Sequence, residues 1–401
     1  MWSELQSQFI GLQEHDKAIQ INPDNALYLS HRGNALWKMN RYREALDEYE
    51  QAILLDSECV NAYIGCGNVL HEQYKEKEAL VAFNEALRFG LNAHASTGKG
   101  NTLYALKQYT EALEAYEQAL TLLPSLVLAH SGRGNALYQL KRYEEALTAY
   151  RQATVFDASC AAAYNGLGDI HHVFDRKQEA LEAYEQAICH DDSNATYYYN
   201  RGKILYEQQH NEEALASYEH AVCLHIDDTH IYCSIGDVLW RLNRNSDALQ
   251  AYEQAIFLAP DDADAYHGKG NTLRDLNNHI EAISAYDSAI QYNPHKAIYL
   301  IDKGMALRAL KRYNEALEAY KLAIQLEPDN AYAHNSIGNF FLYDLGSYQE
   351  AIKAYDQAVT LDKLSPVYHQ NRGNALIYLG HNKQAKQEFQ RAQELGYQAP
   401  S

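Results

Sequence analysis

The stretch Ser96–Leu120 reads STGKGNTLYALKQYTEALEAYEQAL. Its GKG, followed by Asn101 and Thr102, looks like the opening of a phosphate-cradling loop. Such a loop follows a strand and opens a helix, and a dinucleotide fingerprint needs a third glycine. Here no strand pattern precedes and no third glycine follows. Instead Gly100 has equivalents every 34 residues, at Gly134, Gly168, Gly202, Gly236, Gly270, Gly304 and Gly338. Gly373 follows after 35 residues, while Gly67 and Gly33 precede at steps of 33 and 34, which makes eleven copies. A signature on a fixed period is architecture, so GKG is not a nucleotide site.

With this glycine numbered position 8 of each copy, alanine stands at position 20 and again at 27, as in Ala112 and Ala119. The pattern holds in every copy, with Ala351 displaced by one residue. Positions 4, 7, 8 and 11 share one helical face, and 20, 21, 24, 27 and 28 share another. A short polar break such as KQY or KRY separates the halves. Each copy is therefore expected to be a helix–turn–helix, with small residues where two backbones approach. A glycine inside a helix costs about 1 kcal/mol relative to alanine, so eleven on one register imply a packing reason. Pro23, Pro124, Pro260, Pro294 and Pro328 all fall at position 32, the joint between copies. There they interrupt no helix.

Glycine at 8, alanine at 20 and 27, an aromatic at 24 and proline at 32 together resemble the tetratricopeptide (TPR) repeat. The resemblance covers residues 26–395 as eleven tandem units, and the wording GNALYQLKRYEEALTAYRQA resembles long bacterial-type arrays. It implies an all-α, right-handed α-solenoid, or superhelix, in which each unit buries its faces against its neighbours. Residues 1–25 look like the second helix of a degenerate preceding unit, with Ala18 and Pro23 in register, and residues 396–401 form a tail. Trp2, Leu5, Phe9 and Leu12 make an apolar stripe there, a candidate surface for self-association. The last second helix carries Lys386 and Gln393 where inner units carry aliphatic residues, so it is expected to face water as a cap. Position 7 departs from the family's usual leucine at Arg32, Lys99, Arg133, Arg201, Lys269, Lys303 and Arg372. Their apolar stems can cover the core while their cations pair with acidic residues of second helices.

The chain has 34 basic and 53 acidic residues, a formal charge of −19. That balance argues against sequence-independent binding of nucleic acid or anionic membrane, which needs clustered cations. No export signal and no membrane-length apolar run is present, and the expectation is a cytoplasmic protein. The six cysteines form no CxxC pair and read mostly as small buried thiols.

Positions 2, 5, 9 and 12 of the first helix carry no regular aliphatic pattern. In the resembled family this stripe lines the concave groove. Position 9 is Asn34, Asn68, Asn101, Asn135, Asn271, Asn339 and Asn374, with Asp169, Lys203, Asp237 and Met305 in the other units. Position 12 includes Trp37, Tyr104, Tyr138, Tyr206 and Trp240. A side-chain amide both donates and accepts, so it can engage a peptide unit at both of its polar groups. Flanking aromatics offer flat apolar area. The stripe is therefore a candidate site for an extended peptide, best formed over Asn34–Asn135; the competing expectation is that the amides only bond within or between first helices. Charge in the groove is balanced: Lys38, Lys203, Arg241, Arg274 and Arg308 oppose Glu72, Asp169, Glu207, Asp237, Asp264, Asp275 and Asp302. The carboxylate clamp of chaperone-binding relatives needs Lys at position 5 and Arg at position 6, and no unit has either. Acidic chaperone tails are therefore not expected as partners.

No catalytic set, cofactor site or metal site is expected. The cluster EHAVCLHIDDTHIYC (residues 219–233) lacks zinc-site spacing, and its Cys223 falls near the buried face. His171 replaces the usual Leu at position 11 and is expected to be a hydrogen-bonded core residue. The expected function is a non-catalytic scaffold binding a protein or peptide. The alternative is a regulatory or substrate-recruiting arm of a larger enzyme, such as a bacterial Ser/Thr protein kinase.

Overall fold

The computed structural model describes residues 17, 20–22, 24–224 and 229–397. The expected stripe of Trp2, Leu5, Phe9 and Leu12 lies outside them, as do Ala18, Pro23, His225, Asp227 and Asp228. Among the described residues there are 22 helices and no strand, an all-α solenoid of paired helices. First helices such as Ala93–Ala105 have 13 residues, and most second helices, such as Tyr109–Leu122, have 14. Residues up to Ile204 form one compact unit and those from Leu205 a second. Within each unit, a first helix packs on its own second helix, on the preceding second helix and on the preceding first helix.

The recurrent glycines have a specific neighbour. Tyr116, at position 24, lies between Gly100 of its own repeat and Gly132 of the next. A Cβ added to Gly100 would stand 2.6 Å from the ring, and one added to Gly132 would stand 2.4 Å from it. Gly33 and Gly65 hold Tyr49 in the same way, Gly134 and Gly166 hold Tyr150, and Gly236 and Gly268 hold Tyr252. The glycines therefore make room for an aromatic ring. This corrects the expectation that close backbones alone demand them.

Every described first helix except Ala331–Tyr343 ends in the same turn. The residue at position 15 has positive φ, as at Asn40, Lys107, Lys141 and Asn277. Its N–H bonds back to position 12, and the next N–H bonds to position 11, as in Lys107 N to Tyr104 O at 2.9 Å and Gln108 N to Leu103 O at 2.9 Å. This pair of bonds closes the helix with a left-handed residue, a Schellman motif. Tyr74 occupies that position at φ 58° while 89% exposed. It has the strain of a bulky left-handed residue and little packing to offset it. Tyr74→Gly is expected to stabilise the chain by about 1 kcal/mol, read as a higher urea midpoint.

The position-7 cations divide. Arg32 pairs with Glu48 at 3.3 Å, Lys269 with Glu253 at 2.8 Å, Lys303 with Asp287 at 2.6 Å and Arg372 with Asp356 at 2.6 Å, all on second helices. Among the described residues Lys99 and Arg133 make no ion pair, and the Arg133 Nε is buried without a partner. Pairing is thus not general. At the C-terminal end Lys386 and Gln393 are exposed, as a water-facing last helix requires.

Candidate peptide groove

The position-9 amides are anchored from behind. The buried Tyr116 hydroxyl donates to Asn101 Oδ1 at 2.8 Å, Tyr49 to Asn34 at 2.7 Å and Tyr150 to Asn135 at 2.7 Å. Tyr286 donates to Asn271 and Tyr355 to Asn339, each at 2.8 Å. Where the sequence has aspartate instead, the same bond forms: Tyr184 to Asp169 at 2.8 Å and Tyr252 to Asp237 at 2.6 Å. An ionised carboxylate can only accept, so the tyrosine is the donor there. The matching geometry fixes Oδ1 toward tyrosine in the asparagine repeats. Burial raises the pKa of Asp169 and of Asp237, and the tyrosine hydrogen bonds act against that rise. It also pushes the tyrosine hydroxyls well above their ordinary range, which keeps them as neutral donors.

This arrangement corrects the expectation of a two-way amide. With Oδ1 spent on tyrosine, the Nδ2 donors of Asn34, Asn101, Asn135 and Asn339 have no partner among the described residues, and these asparagines are half-buried or exposed. Asn271 differs, its Nδ2 lying 3.4 Å from His267 Nε2. Asn374 differs too, donating to the Tyr343 hydroxyl at 3.4 Å and accepting from Gln370 at 3.4 Å. The competing expectation that the amides bond only among first helices fails as well, because the partner sits on the second helix.

Two departures show what the pairing is worth. Position 24 of the second repeat is Phe83, which has no hydroxyl, so half-buried Asn68 keeps both its donor and its acceptor. Conversely, position 9 of the ninth repeat is Met305, and the buried Tyr320 hydroxyl has no hydrogen-bond partner. Met305→Asn supplies the missing acceptor. It is expected to stabilise the chain by about 1 kcal/mol, with Tyr320→Phe abolishing the gain, both read from urea midpoints.

Asn34, Asn68 and Asn101 line one cleft of about 540 Å³ together with Trp37, Ile64 and Leu128. Rungs at positions 12 and 13 tie neighbouring first helices beside it. Trp37 Nε1 donates to Glu72 at 2.9 Å, and Gln139 Nε2 to the Tyr104 hydroxyl at 3.4 Å. Tyr138 is half-buried, its ring centroid 5.6 Å from that of Tyr143. In the second unit the groove groups engage one another. Trp240 donates to Asp275 at 2.7 Å, Arg274 pairs with buried Asp302 at 2.8 Å, and His267 meets the same carboxylate at 2.7 Å. Arg241 stacks 3.7 Å over Tyr206, covering the ring face expected to serve a partner.

The remaining candidates resolve simply. No group of three or more His, Cys, Asp or Glu that could hold a metal occurs among the described residues. Cys59 and Cys66 are buried, and burial pushes the Cys66 thiol up to about 12. Cys189 and Cys223, however, are exposed, which corrects the placing of Cys223 near the buried face. His171 is not hydrogen-bonded as expected: its Nδ1 is buried without a partner, and burial lowers its pKa. No helix among the described residues is long and apolar enough to cross a membrane.

Models of the TPR repeat match residues 100–141, 134–172, 304–342 and 341–380, and tetratricopeptide-repeat models match 32–94, 175–228, 233–297 and 367–395. The chain belongs to the tetratricopeptide-repeat family. Proteins of this family serve as protein-interaction scaffolds. The chain is 31% identical over 113 residues to small glutamine-rich tetratricopeptide repeat-containing protein 2 of Saccharomyces cerevisiae, covering 28% of the chain and 31% of that protein. It is 30% identical over 91 residues to the protein of the same name from Mycosarcoma maydis, covering 20% of the chain and 26% of the relative. The chain thus spans under a third of the length of these relatives. Among solved structures it is similar to YrrB, a TPR protein with an unusual peptide-binding site (27% identity, TM-score 0.43, 50% of this chain and 99% of that one). It is also similar to a chain of the Cut9–Hcn1 hetero-tetramer (16% identity, TM-score 0.48, 98% of this chain and 85% of that one).

Proposed function

We propose that this tetratricopeptide-repeat chain is a non-catalytic scaffold whose first unit holds an extended peptide along Asn34, Asn68, Asn101 and Asn135. The observation that carries the reading is the row of side-chain N–H groups left without partners among the described residues, at Asn34, Asn101 and Asn135 after tyrosine has taken the neighbouring oxygen. A half-buried donor without a partner gains most from a ligand that supplies an acceptor, and peptide carbonyls do so at regular intervals. Trp37, Tyr104 and Tyr138 add apolar area beside the row. The second unit is the poorer candidate, since Asn271 and Asn374 already have partners and Arg241 covers the Tyr206 ring, although Asn339 keeps its donor.

The test uses peptides selected from a random display library on the full chain. Their affinity is then compared with that for a variant carrying Asn34→Asp, Asn101→Asp and Asn135→Asp. Aspartate keeps the tyrosine bond, as Asp169 and Asp237 show, but turns an acceptor toward the ligand. Affinity is expected to fall at least about tenfold, the scale of one lost charge-affected hydrogen bond, with the melting temperature unchanged. Equal binding to both proteins would overturn the reading.

A further inference from the structure

The chemistry left free in the first unit narrows the ligand further, given the groove reading above. Three of its four position-9 amides offer only N–H. Within that row an acceptor is left over only at Asn68, whose repeat has Phe83 in place of tyrosine; the cleft's other acceptors, among them Asn61, His94 and Thr97, stand at positions 2 and 5, off the row, and its carboxylate Glu72 already receives the Trp37 indole. A row of amides that donates and barely accepts has no use for most of the N–H groups of a ligand lying along it. A segment without those N–H groups binds it at no loss, and proline is the residue that lacks them.

Spacing favours the same ligand. Successive first helices are direct neighbours, bridged by the Trp37–Glu72 and Tyr104–Gln139 bonds. Packed helices lie about 8–10 Å apart, so equivalent amides recur at about that interval. In a β-extended strand, carbonyls on one side recur every second residue, at about 6.7 Å, and the third residue points away. A polyproline II helix has three residues per turn and rises about 3.1 Å per residue, so carbonyls on one side recur at about 9.3 Å. Only the second period matches the helix spacing. Trp37 and Tyr104 lie along the row, and flat aromatic rings of this kind suit the faces of proline rings.

We propose that the cleft over Asn34, Asn68, Asn101 and Asn135 takes a proline-rich segment in the polyproline II conformation, one carbonyl per repeat. The segment is already ordered before binding, so little conformational freedom is lost on docking. Its one N–H-bearing position falls opposite Asn68.

The full chain is titrated with a fluorescently labelled, amidated decapeptide of nine prolines and one central alanine, and with the all-proline decapeptide. A Gly-Ser peptide of equal length serves as the control. Each proline peptide is expected to bind at least about tenfold more tightly than the control, because it is pre-ordered and needs at most one acceptor. The Asn34→Asp, Asn101→Asp, Asn135→Asp variant should lose at least that factor, and Phe83→Tyr, which caps Asn68, should weaken binding only for peptides bearing the N–H. Absent binding of the proline peptides, or binding equal to that of the control, would overturn the proposal. If library-selected peptides are sensitive to the aspartate variant but carry no proline and resist displacement by either proline peptide, the peptide groove stands and the polyproline II assignment falls. If no selected peptide is sensitive to that variant, the groove reading falls with it.

Discussion

Tyr116→Ala is expected to cost about 3–5 kcal/mol of local stability, the range for removing a buried aromatic side chain. The ring is 1% exposed and fills the space between Gly100 and Gly132. Two glycines that lack Cβ atoms cannot close over the cavity by rotating side chains, so little of the loss is recovered. The same substitution leaves Asn101 without its inner partner. Because a repeat array need not unfold in one step, a single melting midpoint understates the effect. The measurement is amide hydrogen exchange across Ala93–Gln139, where protection should fall by at least about a hundredfold while repeats several units away keep theirs. Unchanged protection in this segment would show that the ring is not the element that joins neighbouring repeats.

The second large effect separates packing from binding. Asn101→Ala leaves the buried Tyr116 hydroxyl without an acceptor and is expected to cost about 1–3 kcal/mol. Asn101→Asp restores an acceptor and should recover most of that loss. Asn68→Ala should be nearly neutral, since Phe83 makes no demand on it. Chemical denaturation of the three variants checks this order. Comparable losses for Asn68→Ala and Asn101→Ala would mean that the tyrosine bond contributes nothing. It follows that alanine substitution along the whole row is a poor test of binding, because it destabilises the protein at every tyrosine-backed position. Aspartate and the Phe83 repeat avoid that confusion.

The helix pairs, their joints and the water-facing last helix were legible in the sequence because each rests on a local rule: period, proline placement and apolar patterning. Gly100, Ala112 and Ala119 mark the close contacts whatever the exact rotamers. The position-9 asparagines were legible as a stripe but not as tyrosine partners. Asn101 and Tyr116 stand on different helices, and their meeting depends on how the ring enters the space between two glycines. A signal was available, since tyrosine fills position 24 in every repeat but those of Phe83 and Phe389. A buried hydroxyl repeated nine times needs an acceptor each time, and for seven of the nine an asparagine or aspartate stands fifteen or sixteen residues earlier. Groove electrostatics were less legible still. Arg274 and Arg241 read in sequence only as members of a balanced set of groove charges, whereas one pairs with Asp302 and the other covers Tyr206. Their reach across repeats depends on side-chain conformers that no periodicity encodes.

The most direct test is the side-chain amide spectrum of the asparagines during titration with the proline-rich peptide or a library-selected one. The Nδ2 signals of Asn34, Asn68, Asn101 and Asn135 are expected to move together, while those of Asn271 and Asn374, already engaged, stay in place. Saturable binding that leaves all four first-unit amides unmoved would contradict the assignment of that row to a ligand.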